Sequence, residues 1–550
     1  MINRMRHDVF RITRSRVVAL LLAVLCCSVY LPFVTNPFVL DDHNLFGKPN
    51  FIDYAFQFWL APRWLPYATL AHTHVIFGGS ISALRLGNLF LHVVNVVLVF
   101  VLLRELCLAS FNADDIKQRE SQAFVIACTG ATFFAVHPVA VYAVGYVVQR
   151  TMLMSTLFML LMLVTYLRWL KSGRTALWVW SVVWYFLSVF SKEHSVVAPA
   201  VAFLLTFVVQ RPSVTVVRRI VAPFFAYAVV ALIVVSMVKG GLGTAYEPYA
   251  LDTIKNGQDV APQSVYSLSV VTQLYLYLKY VFLWVFPSVS RMSLDMREAL
   301  APSVMAIPYV AAVIGIVCYA LAAFSMLLRG GRWSVAGWIL LFPLVMFATE
   351  LSTIRVREPF VLYRAYLWFP LFGALIPLAL LRISARLNFA LVVPLICVQV
   401  GLSWNRLHSL SDELLAWEDA AKLLVTGREL GADRIYYNRA LGLIGKNRHR
   451  EALTDLDRTI ALNSSLAPVY FTRATVNFRL NRYLDALYDT NASLALDSTQ
   501  SSSYLARSTV LKKLGRDEEA LVDLRKSCDM KNVIACYAAS LESKGIAGVR

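Results

Sequence analysis

Runs of about 20 apolar residues, the length that crosses a hydrocarbon core of roughly 30 Å, recur along the chain from Val17 to about Ser403 and then stop. The pattern predicts spans starting at Val17 and near 84–104, 122–141, 151–170, 175–191, 195–210, 220–238, 302–328, 334–350, 361–381 and 388–404. Segment 265–287 is apolar as well, but it carries Gln273, Tyr275, Tyr277, Lys279 and Tyr280. A lysine near mid-span is expensive in lipid, so this segment is expected to re-enter or to lie on the surface. About eleven crossings result. Counting basic residues does not decide between this arrangement and twelve crossings; the choice rests on Lys279 and on the resemblance described below.

Beyond Ser403 the pattern changes to polar and charged helix formers with a fixed period. Glu451-Ala452-Leu453, Asp485-Ala486-Leu487 and Glu519-Ala520-Leu521 are spaced by 34 residues, as are Tyr436/Tyr470/Tyr504, Arg439/Arg473/Arg507, Arg448/Arg482/Arg516 and Asp455/Asp489/Asp523. A 34-residue period with small residues between paired helices is the tetratricopeptide pattern, in which each hairpin buries its apolar face on the next. The expected architecture is therefore all-α: a polytopic membrane helix bundle over 1–404, a linker helix over 405–432, and an α-solenoid over 433–550 with a capping helix near 531–544. Such arrays bind extended peptides or protein partners. Arg439, Arg473 and Arg507 are accordingly candidate contacts for a protein acceptor, with repeat packing as their other reading.

Composition agrees with the pattern: 58% of the 550 residues are hydrophobic and 16% charged, outside the soluble range. The net charge of +18 raises the question of nucleic acid. From Arg406 onward there are 21 basic and 18 acidic residues, a net +3, so +15 belongs to the membrane part. Loops at anionic lipid headgroups account for that excess, and no nucleic-acid partner is implied. Arg4, Arg6, Arg11, Arg14 and Arg16 precede the first span without a cleavage site, which reads as an uncleaved signal anchor with a cytoplasmic N-terminus. Arg104/Lys117/Arg119, Arg168/Lys171/Arg174 and Arg211/Arg218/Arg219 fall in alternate loops, as the cytoplasmic side requires. Six of the eight cysteines lie in or beside apolar runs; Cys528 and Cys536 are the pair open to a disulfide, and no zinc spacing occurs.

The candidate chemistry starts at Leu40-Asp41-Asp42-His43-Asn44, where two adjacent carboxylates follow the first span. The desolvation cost of such a pair at a membrane exit points to function. In the predicted topology the same side collects His137-Pro138, Gln149-Arg150, Lys192-Glu193-His194 and the stretch from Glu350 to Arg364. Carboxylates beside cations suit transfer from a phosphate-bearing lipid donor: one carboxylate takes a proton from an acceptor hydroxyl, and the cations hold the phosphate leaving group.

Taken in order, Asp41-Asp42, Arg85-Leu86-Gly87-Asn88-Leu89-Phe90-Leu91-His92-Val93-Val94-Asn95, Phe134-Ala135-Val136-His137-Pro138 with Val148-Gln149-Arg150, Lys192-Glu193 and the C-terminal repeats resemble one family over nearly the whole chain. It is that of the transmembrane and tetratricopeptide-repeat O-mannosyltransferases and their bacterial relatives, within the C-type glycosyltransferase fold. The resemblance implies transfer of a sugar from a polyprenyl-phosphate carrier to protein hydroxyls on the non-cytoplasmic side, with the repeats binding the acceptor. It implies a catalytic role for Asp41 or Asp42 and donor-phosphate contacts at Arg150, Lys192 and, through Tyr363-Arg364-Ala365-Tyr366 with Pro370, Arg364. His43, His137, Gln149, Glu193 and His194 would support them. Tyr142 and Tyr363 stand where relatives commonly carry glutamate. No cofactor is fixed, although a divalent metal at Asp41 and Asp42 stays open. The expected location is a bacterial inner membrane with periplasmic repeats. Two rival readings keep the architecture: a lipid or envelope-polysaccharide acceptor, and a non-catalytic scaffold that recruits partners through the repeats.

Overall fold

The computed structural model describes residues 2–111, 116–210, 212–237, 243–245, 264–356, 358–381 and 385–543. Arg211 and Lys544, invoked above, lie outside them. The described regular structure is helical, with two isolated β-bridges, Ala245 to Ile354 and Met296 to Phe360. The chain divides into two compact units, Met1–Asp412 and Glu413–Arg550.

In the first unit, eight helices among the described residues are long and apolar enough to cross a membrane. Two further candidates are bent pairs, Ile116–Val136 with Pro138–Val144 at 49° and Leu362–Trp368 with Phe372–Leu380 at 60°. Pro138 and Pro370 sit at the two breaks, where a missing N–H and a ring clash interrupt the helix. Thr175–Ser191 and Glu193–Val209 are apolar but shorter than 18 residues. By length and composition the described residues of the unit therefore hold eight to ten candidate spans, against the eleven expected.

One expectation meets a competing candidate. Val265–Val285 is a single unbroken helix of 21 residues, by length and composition able to cross or to lie on the surface. The polar groups that argued against it have partners: Lys279 pairs with Glu298, Gln273 Nε2 donates to Pro359 O at 2.9 Å, and the Tyr280 hydroxyl donates to Val361 O at 2.9 Å while accepting from Val361 N at 2.7 Å. A paired lysine or amide is cheaper to bury than an unpaired one. The helix in turn fixes the backbone at Pro359 and Val361, just ahead of Tyr363 and Arg364.

The helix Ile81–Ser110 shows how the bundle is held. Ser80 Oγ caps it, accepting from Ala83 N at 3.3 Å. Along its inner face Arg85, Asn88, His92 and Asn95 recur at helical spacing and are all buried. Arg85 donates to the carbonyls of Asn36, Pro37 (2.6 Å) and Gly145 (3.3 Å). His92 Nδ1 lies 2.8 Å from the Tyr366 hydroxyl, and Asn95 Nδ2 donates to Leu153 O at 3.0 Å and to Tyr366 at 3.2 Å. A buried polar stripe in place of an apolar one makes this helix the hydrogen-bonding post for the loops around it.

The second unit repeats one device. Ala432–Gly445 pairs with His449–Leu462, Ala467–Arg479 with Tyr483–Leu496, and Ser501–Lys513 with Asp517–Asp529; Val533–Ser543 closes the array. Each hairpin turns through a left-handed residue, Asn447, Asn481 or Gly515, with φ of 59°, 61° and 75°. The next N–H, of Arg448, Arg482 or Arg516, returns to the carbonyl of Leu443, Asn477 or Leu511 at 2.9 Å, satisfying a helix-end oxygen. Ala452, Ala486 and Ala520 are buried where the helices meet. Cys528 and Cys536 are joined by a disulfide. The expected linker helix over 405–432 is absent as such. Residue 405 lies within Ala385–Ser409, and Glu413–Lys422 is a separate helix packed in the second unit, followed by a loop that turns at Gly427 and Gly431 with φ of 71° and 84°.

Candidate functional site

The acidic loop is built on an apolar footing. Val39, Leu45 and Phe51 are buried against Leu84, Tyr146, Val147 and Val148, with Phe38 and Phe46 stacked at 4.7 Å beside them. Leu40 takes a φ of 47°, a conformation that costs a branched residue roughly 1–3 kcal/mol and that clusters at functional sites. It starts the short helix Asp41–Phe46 and sends the two carboxylates to different surroundings.

Asp42 is fully buried. Its Oδ1 accepts from Val148 N at 2.8 Å and its Oδ2 from Val39 N at 3.2 Å, so it ties the first loop to the one after residue 144. Burial pushes its carboxyl up to about 7, outweighing the N–H donors and the Arg85 guanidinium, which favour the charged form. Asp41 is exposed. Its backbone N donates to the Tyr146 hydroxyl at 2.8 Å, and its Oδ1 accepts from Asn44 at 3.3 Å.

Asp41 lines a cavity of about 300 Å³ together with Lys48, Arg63, Tyr67, Gln149, Lys192, Glu358, Tyr363 and Arg364. Of the residues expected from sequence, the cavity thus gathers Asp41, Gln149, Lys192 and Arg364. Two ion-pair groups stand behind it. Arg63, held at a φ of 65° with its N donating to Phe190 O at 2.8 Å, makes a two-point pair with Glu193, with Nε to Oε2 at 3.0 Å. Arg364 Nη1 lies 2.8 Å from Glu350 Oε2, and Arg355 Nε (3.3 Å) and His194 Nε2 (3.0 Å) meet the same carboxylate, all four side chains being 2% exposed. Such pairs fix their arginines in orientation, because each loses its partner if it moves.

Several expected site residues lie elsewhere. Arg150 is buried and absent from the cavity wall. Its Nε donates to Asn88 Oδ1 at 2.9 Å, its Nη1 to Thr69 O and Thr73 Oγ1 at 3.0 and 3.1 Å, and its Nη2 to Leu84 O at 2.7 Å. It clamps its own helix, Arg150–Ser172, to the helices Trp64–Ile76 and Ile81–Ser110, so its donors face protein acceptors and not the cavity where a phosphate contact was expected. His137 stacks on Trp284 at 3.9 Å, with Nε2 at 3.2 Å from Trp284 O and Nδ1 accepting from Val139 N, which makes it a hinge support at the proline break. His43 is exposed, edge-on to Phe38. Asp42 does not line the cavity with Asp41, so the two do not face one ion; among the described residues no group of three His, Cys, Asp or Glu is placed to hold a metal.

In the repeats, each of the three arginines pairs with an aspartate of its own hairpin, and Arg473 and Arg507 also reach the preceding hairpin at Asp457 (2.7 Å) and Asn491 (2.8 Å). Arg439 meets Asp455 at 2.6 Å through both nitrogens, Arg473 meets Asp489 at 2.6 Å, and Arg507 meets Asp523 at 2.7 and 2.8 Å. Each also lies over its repeat's tyrosine, Tyr436, Tyr470 or Tyr504, at 5.6 to 5.7 Å. The periodic arginines are packing elements first.

Sequence reasoning passed over Lys48, Arg63, Tyr67 and Glu358. The loop rich in Trp59, Pro62 and Trp64 reads as a surface segment, yet its cations reach the cavity. Glu358 supplies an acid to the cavity wall five residues before Tyr363. The usable signal was charge: Lys48 and Arg63 are the basic residues of an otherwise aromatic loop.

No protein family and no curated protein matches the chain. Among solved structures, two crystal structures of MamA align with TM-scores of 0.20, at 17% and 15% identity, over 30% of this chain and 91% and 82% of theirs. A third MamA structure aligns at 17% identity over 29% of this chain and 88% of its own, again with a TM-score of 0.20. A likeness at that score carries no argument, and the repeat architecture rests on the period and on the hairpin geometry.

Proposed function

We propose that the membrane unit is a C-type glycosyltransferase that moves a sugar or glycan from a polyprenyl-phosphate-linked donor to protein hydroxyls on the non-cytoplasmic side of a bacterial inner membrane. The observation that carries this reading is the Asp41 carboxylate in a cavity whose other charged walls are Lys48, Arg63, Lys192, Arg364 and Glu358. In the reaction, Asp41 takes the proton of the acceptor hydroxyl while its oxygen bonds to the anomeric carbon. The bond from that carbon to the carrier phosphate breaks, and the phosphate keeps the electron pair, neutralised by Lys192 and Arg364. The repeat array brings the acceptor protein to the membrane unit.

The Cys528–Cys536 disulfide supports repeats on an oxidising side, since such bonds persist outside the reducing cytosol. From a cytoplasmic N-terminus that side requires an odd number of crossings. Glycosylation of exported proteins in cells carrying Asp41→Asn is the direct test: we expect it to be lost, whereas undiminished glycosylation at normal protein level removes Asp41 from the chemistry. Deletion of residues 433–550 separates acceptor classes, because a small lipid-borne acceptor is modified without the repeats and a protein acceptor is not.

A further inference from the structure

A second cavity, of about 620 Å³, lies in the membrane unit and shares no lining residue with the first. Its walls are Phe133, Phe282, Phe286, Ile376, Val398 and Leu402. Three of them are also open to the surroundings, Phe282 at 42% and Val398 at 58% exposure on helices long enough to span, and Phe286 at 63% just past the end of the first. A groove of this kind is wetted by hydrocarbon rather than water.

Two polar features inside it have no structural use. Arg291 lies just past the end of the helix Val265–Val285, its guanidinium over the Phe282 ring at 5.3 Å. It has no ion pair among the described residues and lines the same groove. Ser288 and Ser290, whose hydroxyls meet at 3.0 Å, stand beside it. Gln399, in the helix Ala385–Ser409, is 6% exposed and also lines the groove, and its Oε1 finds no donor among the described residues. A buried amide oxygen left without a donor is destabilising until something donates to it. An arginine at the end of a spanning helix without a carboxylate is placed for an anion of the headgroup layer.

We propose that this groove binds one anionic phosphoglycerolipid with a hydroxyl-bearing headgroup, its phosphate on Arg291, a headgroup hydroxyl donating to Gln399 Oε1, and an acyl chain along the phenylalanines. The site stands apart from the Asp41 cavity, so it does not rest on the transferase reading. Lipid retention and sugar transfer are measured separately and can fail separately.

The test uses the full-length protein in detergent, with native mass spectrometry counting bound phosphatidylglycerol against phosphatidylcholine of the same chains. One phosphatidylglycerol is expected to stay bound at concentrations where phosphatidylcholine does not. Arg291→Gln should lower its retention at least five-fold and Gln399→Leu at least two-fold. Val398→Trp, which fills the groove from a lipid-facing position, should abolish it, and the melting temperature of each variant shows whether it is folded. Equal retention of the two lipids, full retention in folded Arg291→Gln or Val398→Trp, or displacement of the lipid by millimolar inorganic phosphate overturns the proposal.

Discussion

The two units use the same chemical pair, an arginine against a carboxylate, for opposite ends. In the repeats the pairs recur every 34 residues, join two helices of one hairpin and leave the arginines 19–25% exposed. In the membrane unit Arg63–Glu193 and Arg364–Glu350 occur once each, the first joining segments 130 residues apart, and their arginines stand at a cavity wall. A periodic pair is architecture, because every hairpin must solve the same packing problem. An aperiodic pair beside an open cavity orients a cation toward whatever enters.

The contrast can be broken most severely at Glu350. Glu350→Gln leaves Arg355 and Arg364 buried without their shared carboxylate, a loss of about 3–5 kcal/mol; thermal unfolding in detergent should show a collapse in melting temperature or in folded yield. Asp41→Asn is expected to leave the melting temperature unchanged and to lower sugar transfer about 100-fold or more, the range set by removing a general base. A parallel fall in stability would place Asp41 among the structural acids with Asp42. In the repeats, Arg473→Leu strands the 1% exposed Asp489, which keeps only Asn477 as a side-chain donor at 3.0 Å. It should cost about 1–3 kcal/mol by denaturation of the repeat unit without altering transfer chemistry.

A separate effect is a pH slope. Asp42 holds its proton in the folded chain up to about 7, against an ordinary value near 3.8. Its contribution to stability is therefore complete below about 4 and is lost as the pH rises through 7, where the folded state must ionise a buried carboxyl or the unfolded state is favoured. Unfolding of the wild type between pH 4 and 8 should show this decline, and Asp42→Asn should flatten it.

How far the sequence reached follows the same division. The hairpin columns were legible because a 34-residue period survives subtraction, and the structure keeps them in register at Asn447, Asn481 and Gly515. The polar membrane residues were found as a set, but not sorted. Arg150 and Lys192 look alike in sequence, and only packing shows that the first has its donors taken by Asn88, Thr69, Thr73 and Leu84. Asp41 and Asp42 are adjacent, so no periodicity separates them; the backbone at Leu40 does. The partner of Lys279, Glu298, was not legible because it is 19 residues away, beyond any helical spacing.

The Cys528–Cys536 bond also gives the proposed topology a clock. It fastens the helix Val533–Ser543 to the one before it. In an exported array this element is sealed only after translocation, in the receiving compartment. The stage of maturation of each molecule is then readable as a gel shift with a thiol-alkylating reagent, with no residue changed.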